Sequence, residues 1–88
     1  MSPSPKIIIY RTRTCPYCVA AARYFTEVKG QAVEEIDLTF DPDGRVELVA
    51  RTGQRTVPQI FIGDTHVGGY DDVRALDARG GLDPLLGL

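Results

Sequence analysis

An apolar run, Lys6-Ile7-Ile8-Ile9-Tyr10, leads through four polar residues into Cys15-Pro16-Tyr17-Cys18, and a helical-looking stretch, Val19 to Val28, follows at once. This strand, C-x-x-C, helix succession constrains the chain more than anything else in it. Cys15 and Cys18 are its only cysteines. Residues i and i+3 share one side of a helical turn. With Cys15 just before the helix, Cys18 lies beneath it, within the roughly 4.4–6.8 Å Cα separation a disulfide tolerates. The first backbone N–H groups of a helix lack partners, and that end carries about half a positive charge, which favours thiolate over thiol. Pro16 suits the first helical position because its missing N–H would have had no partner there. The pattern therefore reads as a redox dithiol with Cys15 the nucleophile and Cys18 the resolving thiol. The competing readings are half of a structural zinc site and an inert pair. Tetrahedral zinc wants four ligands, and the chain adds only His66 to the two cysteines; no metal site is expected.

At 88 residues the chain makes one domain, and 43% hydrophobic residues suffice for a core. Residues 1–5, Met-Ser-Pro-Ser-Pro, read as a disordered tail and 6–88 as the domain. No apolar run is long enough to span a membrane, and the N-terminus lacks the apolar segment of a signal peptide. A cytoplasmic protein without a membrane partner is expected, and there a C-x-x-C is catalytic more often than structural. The formal net charge of −2 points to no nucleic-acid partner.

Further along, Val33 to Leu38 reads as a second strand. Asp43 to Arg51 reads as a helix stopped at Thr52-Gly53. Gln59 to Ile62 and Thr65 to Val67 read as strands joined by a tight turn at Gly63-Asp64. Asp71 or Asp72 is expected to cap a last helix running to about Arg79, with Leu82 to Leu88 packing back as one more turn. In the first helix, Cys15 to about Lys29, the expected packing residues are Val19, Ala22, Tyr24, Phe25 and Val28. The order is β-α-β-α-β-β-α. It implies a right-handed parallel crossover, then an antiparallel hairpin, in a four-stranded mixed sheet with helices on both faces. His66 is expected in the hairpin, either exposed or hydrogen-bonded there.

That order resembles the thioredoxin fold, and three segments narrow the likeness. Cys15-Pro16-Tyr17-Cys18 is similar to the active-site sequence of dithiol glutaredoxins, Thr56-Val57-Pro58 to their T-V-P segment, and Gly68-Gly69-Tyr70-Asp71-Asp72 to their G-G-x-D-D motif. Gln59-Ile60-Phe61-Ile62 and Leu76 to Leu82 are especially similar to small bacterial glutaredoxins of the glutaredoxin 3 type. The resemblance covers nearly everything after residue 5.

The resemblance implies a glutathione-dependent thiol–disulfide oxidoreductase. It would act as a monomer on glutathionylated or disulfide-bearing proteins, with glutathione as co-substrate and no tightly bound cofactor. It implies a cis Pro58 facing Cys15, with the Thr56-Val57 main chain pairing with the cysteinyl part of glutathione like an added strand. The γ-glutamyl end would lie over Gly69-Tyr70-Asp71-Asp72, with its carboxylate on the helix N-terminus and its ammonium on Asp71 or Asp72. Tyr17 would flank the sulfur, and Arg55 is a candidate for the glycyl carboxylate. Many members carry a lysine three residues before the nucleophile. That position is Thr12 here, and the flanking Arg11 and Arg13 are the candidates for its charge. Where some relatives have a further cysteine, this chain has Tyr70. Two other functions use the same cysteines. One is a redoxin reduced by a flavoprotein thioredoxin reductase, which would not need the glutathione segments. The other is a glutathione-ligated [2Fe–2S] carrier, against which Pro16 and Cys18 both count.

Overall fold

Alternation along two central strands explains why this sheet is covered twice. In strand β1, Ile7–Arg11, Ile7 and Ile9 point to one face, and Ile8 and Tyr10 to the other. Strand β3, Gln59–Ile62, repeats the pattern, with Ile60 and Ile62 on the first face and Phe61 on the second. Two cores follow. The larger joins the four isoleucines to Ala21, Phe25, Val73, Leu82 and Leu86; the smaller packs Phe61 against Leu38 and Leu48.

The computed structural model describes residues 5–88. The remaining elements are helix α1 (Pro16–Arg23), strand β2 (Glu34–Asp37), helix α2 (Pro42–Thr52), strand β4 (Thr65–Gly68), helix α3 (Tyr70–Ala78) and helix α4 (Leu82–Leu86). Strand order is β2-β1-β3-β4. β1 runs parallel to β2, and the β1–β3 and β3–β4 pairs are antiparallel. Helices α1, α3 and α4 supply the larger core and α2 the smaller. This is the thioredoxin fold that the element order implies. The expected tail lies outside the described residues except for Pro5, which is half-buried.

The structure corrects several details. Helix α1 is regular only to Arg23; Tyr24–Val28 forms a wider π turn, closed by Lys29 N–H donating to the Tyr24 carbonyl five residues back. Each residue of a wide turn advances less around the axis than in an α-helix. Val28, which ordinary helical spacing aligns with Phe25, is carried off the buried stripe and is exposed. Val19 is exposed too, and Ala21 and Cys18 hold the inner face of α1 instead. Helix α2 starts earlier than expected. Asp41 is its cap, accepting from Gly44 N–H at 2.9 Å, and Pro42 takes the first position. Neither Asp71 nor Asp72 is the cap of α3. Gly69 is, and Asp72, three residues on, reaches back to accept the Gly69 N–H at 2.9 Å. Gly69 has no side chain to return that bond.

A salt-bridged post joins the helices on the larger core. Lys29 Nζ lies 2.8 Å from Asp77 on α3 and 2.9 Å from Asp83 on α4, and Asp77 also accepts from the Tyr24 hydroxyl. Lys29 and Tyr24 together hold the Asp77 carboxyl below its usual range.

Candidate active site

Cys15 stands at the joint between strand and helix. Its backbone is extended, with φ −102° and ψ 104°, and it caps α1 with its own sulfur. Sγ accepts the Cys18 N–H at 3.2 Å, a bond that stabilises negative charge on sulfur. The thiol itself lies 3.6 Å from the Val57 carbonyl, to which it donates. Cys15 is half-exposed. Cys18, one turn below, is 0% exposed. Burial, and then its hydrogen bond with Cys15, push the Cys18 thiol up to about 12. The two sulfurs are not bonded to each other. One is open to an incoming disulfide and the other holds its proton beneath it.

A groove of about 270 Å³ opens on the same face, lined by Tyr17, Gln54, Thr56, Val57, Pro58, Gly69, Tyr70, Asp71 and Asp72. The Val57–Pro58 peptide is cis. Gly68 adopts φ 119°, and a Cβ there would meet Asp72 Oδ2 at 2.4 Å, so only glycine leaves room for the Asp72 carboxylate against the helix start. Asp72 thus secures α3, while Asp71 shows no hydrogen bond among the described residues. Tyr17 and Tyr70 form an aromatic wall, centroids 6.3 Å apart.

Eight of the expected glutathione residues line this groove; Arg11, Arg13 and Arg55 do not. The Arg11 guanidinium pairs with Glu35, which raises its pKa further. Arg13 lies 3.3 Å from Asp37 and over the Phe40 ring at 4.9 Å. The parallel register puts Glu35 beside Ile9 and Asp37 beside Arg11, so β2 presents carboxylates to the end of β1, which carries Arg11, and to the loop after it, which carries Arg13. Arg55 lines a separate hollow with Arg45, Val46 and Val49 on α2. His66 is hydrogen-bonded in the hairpin, its Nε2 lying 2.7 Å from Gln59 Oε1. Among the described residues, no three His, Cys, Asp or Glu stand together as metal ligands.

Two groups escaped the sequence reading. Gln54 lines the groove; its signal is its place between the helix stop at Gly53 and the T-V-P segment. Arg74 donates to the Tyr70 hydroxyl at 2.8 Å and lies over the Tyr24 ring at 5.0 Å. Its signal is the i, i+4 spacing on α3.

A thioredoxin-fold sheet, an exposed cysteine capping a helix, a buried partner three residues on and a cis-proline edge beside them define a thiol–disulfide oxidoreductase. A glutaredoxin family model matches residues 7–67. The chain is 50% identical to glutaredoxin 3 of Escherichia coli (strain K12) over 78 residues, 89% of this chain and 93% of that protein. It is 48% identical to a glutaredoxin of Pseudomonas aeruginosa, covering 93% of this chain and 96% of the relative. Among solved structures, a buckwheat glutaredoxin–glutathione complex superposes with TM-score 0.85 at 34% identity, over 94% of this chain and 77% of that one. The solution structure of Brucella melitensis glutaredoxin gives 0.80 at 45% identity, over 97% and 91%. The chain belongs to the glutaredoxin family.

Proposed function

We propose that the Cys15–Cys18 dithiol reduces glutathione mixed disulfides and protein disulfides with electrons from glutathione, which binds along the groove beside Cys15. The observation that carries this reading is the juxtaposition of a half-exposed Cys15 Sγ, the Val57 main chain and a groove ending at the start of α3. A buckwheat relative of the same fold is a glutathione complex, which supports the choice of thiol.

In the first reaction Cys15 thiolate attacks the glutathione sulfur of a mixed disulfide. A Cys15–glutathione disulfide forms and the substrate thiolate leaves. A second glutathione thiolate attacks the glutathione sulfur held on Cys15, giving glutathione disulfide and regenerating Cys15. In the second reaction a protein disulfide is opened onto Cys15. Cys18 gives up its proton and attacks Cys15 Sγ, and the protein thiolate leaves. Two glutathiones then reduce the Cys15–Cys18 bridge. In this reading the cysteinyl part of glutathione pairs with the Val57 main chain. Its γ-glutamyl carboxylate meets the N–H groups at the start of α3, its ammonium meets Asp71, and Tyr17 covers the sulfur. Gln54, which lines the groove, faces the glycyl end; Arg11 and Arg13 are paired with Glu35 and Asp37, and Arg55 lies in a separate hollow.

The proteins served are glutathionylated or disulfide-bearing, met by a monomer in a reducing, cytoplasmic compartment. No helix among the described residues is long and apolar enough to cross a membrane. The deciding experiment is turnover of a glutathionylated peptide coupled either to glutathione and its reductase or to thioredoxin reductase. Turnover with the first is expected. Turnover only with the second overturns the reading.

A further inference from the structure

Gln59, at the start of β3, is 0% exposed and is the only fully buried polar side chain among the described residues. All of its hydrogen-bonding capacity runs between two places. Its Nε2 lies 2.9 Å from the Thr56 carbonyl, 3.1 Å from Gln54 Oε1 and 3.3 Å from Thr56 Oγ1; its Oε1 lies 2.7 Å from His66 Nε2. A main-chain carbonyl only accepts, so the Gln59 amide must turn its N–H groups toward Thr56 and its oxygen toward His66. His66 therefore carries its proton on Nε2 and donates it to Gln59.

The Thr56 carbonyl belongs to the peptide that also carries the Val57 N–H. That peptide is trans, the cis bond being the next one along, and in a planar trans peptide C=O and N–H point to opposite sides. Drawing the Thr56 oxygen inward to Gln59 therefore aims the Val57 N–H outward, to the side where Val57 lines the groove. The following carbonyl, Val57 O, receives the Cys15 thiol. Both peptides of Val57 are thus held, one by the nucleophile and one by a buried amide behind the strand.

We propose that Gln59 is a positioning residue for glutathione, setting the direction of the Val57 N–H through the Thr56 carbonyl, with His66 holding the Gln59 amide in its donating orientation. This rests on glutathione occupying the groove. Gln59 touches neither ligand nor sulfur. It acts on how well the main-chain edge meets the cysteinyl portion of glutathione, and so on KM rather than on the exchange step.

The test uses the full chain and two substrates, one peptide bearing either glutathione or cysteamine on the same cysteine. Cysteamine has a sulfur to attack but no peptide to pair with Val57. Gln59→Met keeps the length of the side chain and removes its N–H groups. It is expected to raise KM for the glutathionylated peptide about tenfold, the equivalent of one well-placed hydrogen bond, about 1.4 kcal/mol. Its kcat, and its KM for the cysteaminylated peptide, stay at the parent's values. His66→Phe reads the same chain from its outer end, and decides the matter if Gln59→Met does not fold. It should raise the glutathionylated KM about threefold, because the amide keeps its Thr56 bond but loses the donor that orients it. Unmoved values in both variants, or equal shifts on both substrates, overturn the inference. A parent protein that treats the two substrates alike overturns the glutathione reading itself and the inference with it. A discriminating parent with unmoved variants overturns the inference alone.

Discussion

Three residues apart, Cys15 and Cys18 have opposite surroundings, one half-exposed and one buried, and their chemistry is expected to divide accordingly. Cys15→Ser should abolish exchange on every substrate. Cys18→Ser should keep activity on a small glutathione mixed disulfide within an order of magnitude of the parent, yet lose most activity on a protein disulfide; coupled glutathione reductase assays on the two substrates check this. Loss of both activities would mean that Cys18 does more than resolve. The high Cys18 pKa is also a stability statement. The thiol is raised in the folded protein to about 12 from an ordinary 9.0, so between those values the folded state binds the extra proton. Stability is fully present below the ordinary value and is lost as pH rises toward the folded one. Urea unfolding of the reduced protein should show this loss, and Cys18→Ser should show less of it. The dithiol itself was fully legible in the sequence, because two cysteines at this spacing before a helix admit few other uses. The arginines were not. Arg11 and Arg13 look like cations near a nucleophile until the parallel register brings Glu35 and Asp37 beside them.

Among the elements, the start of α3 gives its two acids different surroundings: Asp72 accepts the Gly69 N–H, and Asp71 lines the groove with no hydrogen bond among the described residues. Asp72→Ala removes the acceptor for the Gly69 N–H and should cost about 1 kcal/mol in chemical denaturation, as for other lost caps. Asp71→Asn leaves the helix start intact. It should change stability by less than about 0.5 kcal/mol while raising KM for a glutathionylated substrate. The reverse assignment, Asp71 stabilising and Asp72 reading ligand, would appear at once as crossed results. From sequence both residues were simply acids at a helix start; which one turns back depends on Gly68 at φ 119°, a backbone choice that side-chain patterning does not encode. The wide turn at Tyr24–Val28 was equally invisible. Its residues fit an ordinary α-helix, and only tertiary packing of Tyr24, Phe25 and Lys29 against α3 and α4 shows why the turn opens.

Over the whole molecule, the mixed four-stranded sheet followed from the element order and the crossover rule, while its strand order, β2-β1-β3-β4, came only with the structure. What ties the helices of the larger core to one another did not follow from sequence either. The Lys29–Asp77–Asp83 post links residues 48 or more positions apart, beyond any local pattern. Because Lys29 and Tyr24 hold Asp77 below its usual range, its contribution is present at neutral pH and is lost as pH falls through the folded value. Lys29→Met should lower the melting temperature at neutral pH and flatten the acid side of the stability profile. A variant whose acid limb matches the parent's would show that the post is idle. The wide turn also bears on chain length. A π turn is one residue longer than the α-helical turn it replaces. Removing one residue between Tyr24 and Val28 would convert it to an ordinary helical turn that covers nearly the same rotation about the axis, so the chain after it, Lys29 included, keeps its facing toward both carboxylates. Deletion of the exposed Thr26 or Glu27, a change that disrupts a regular helix, is therefore expected to cost less stability in chemical denaturation than the loss of Lys29 itself.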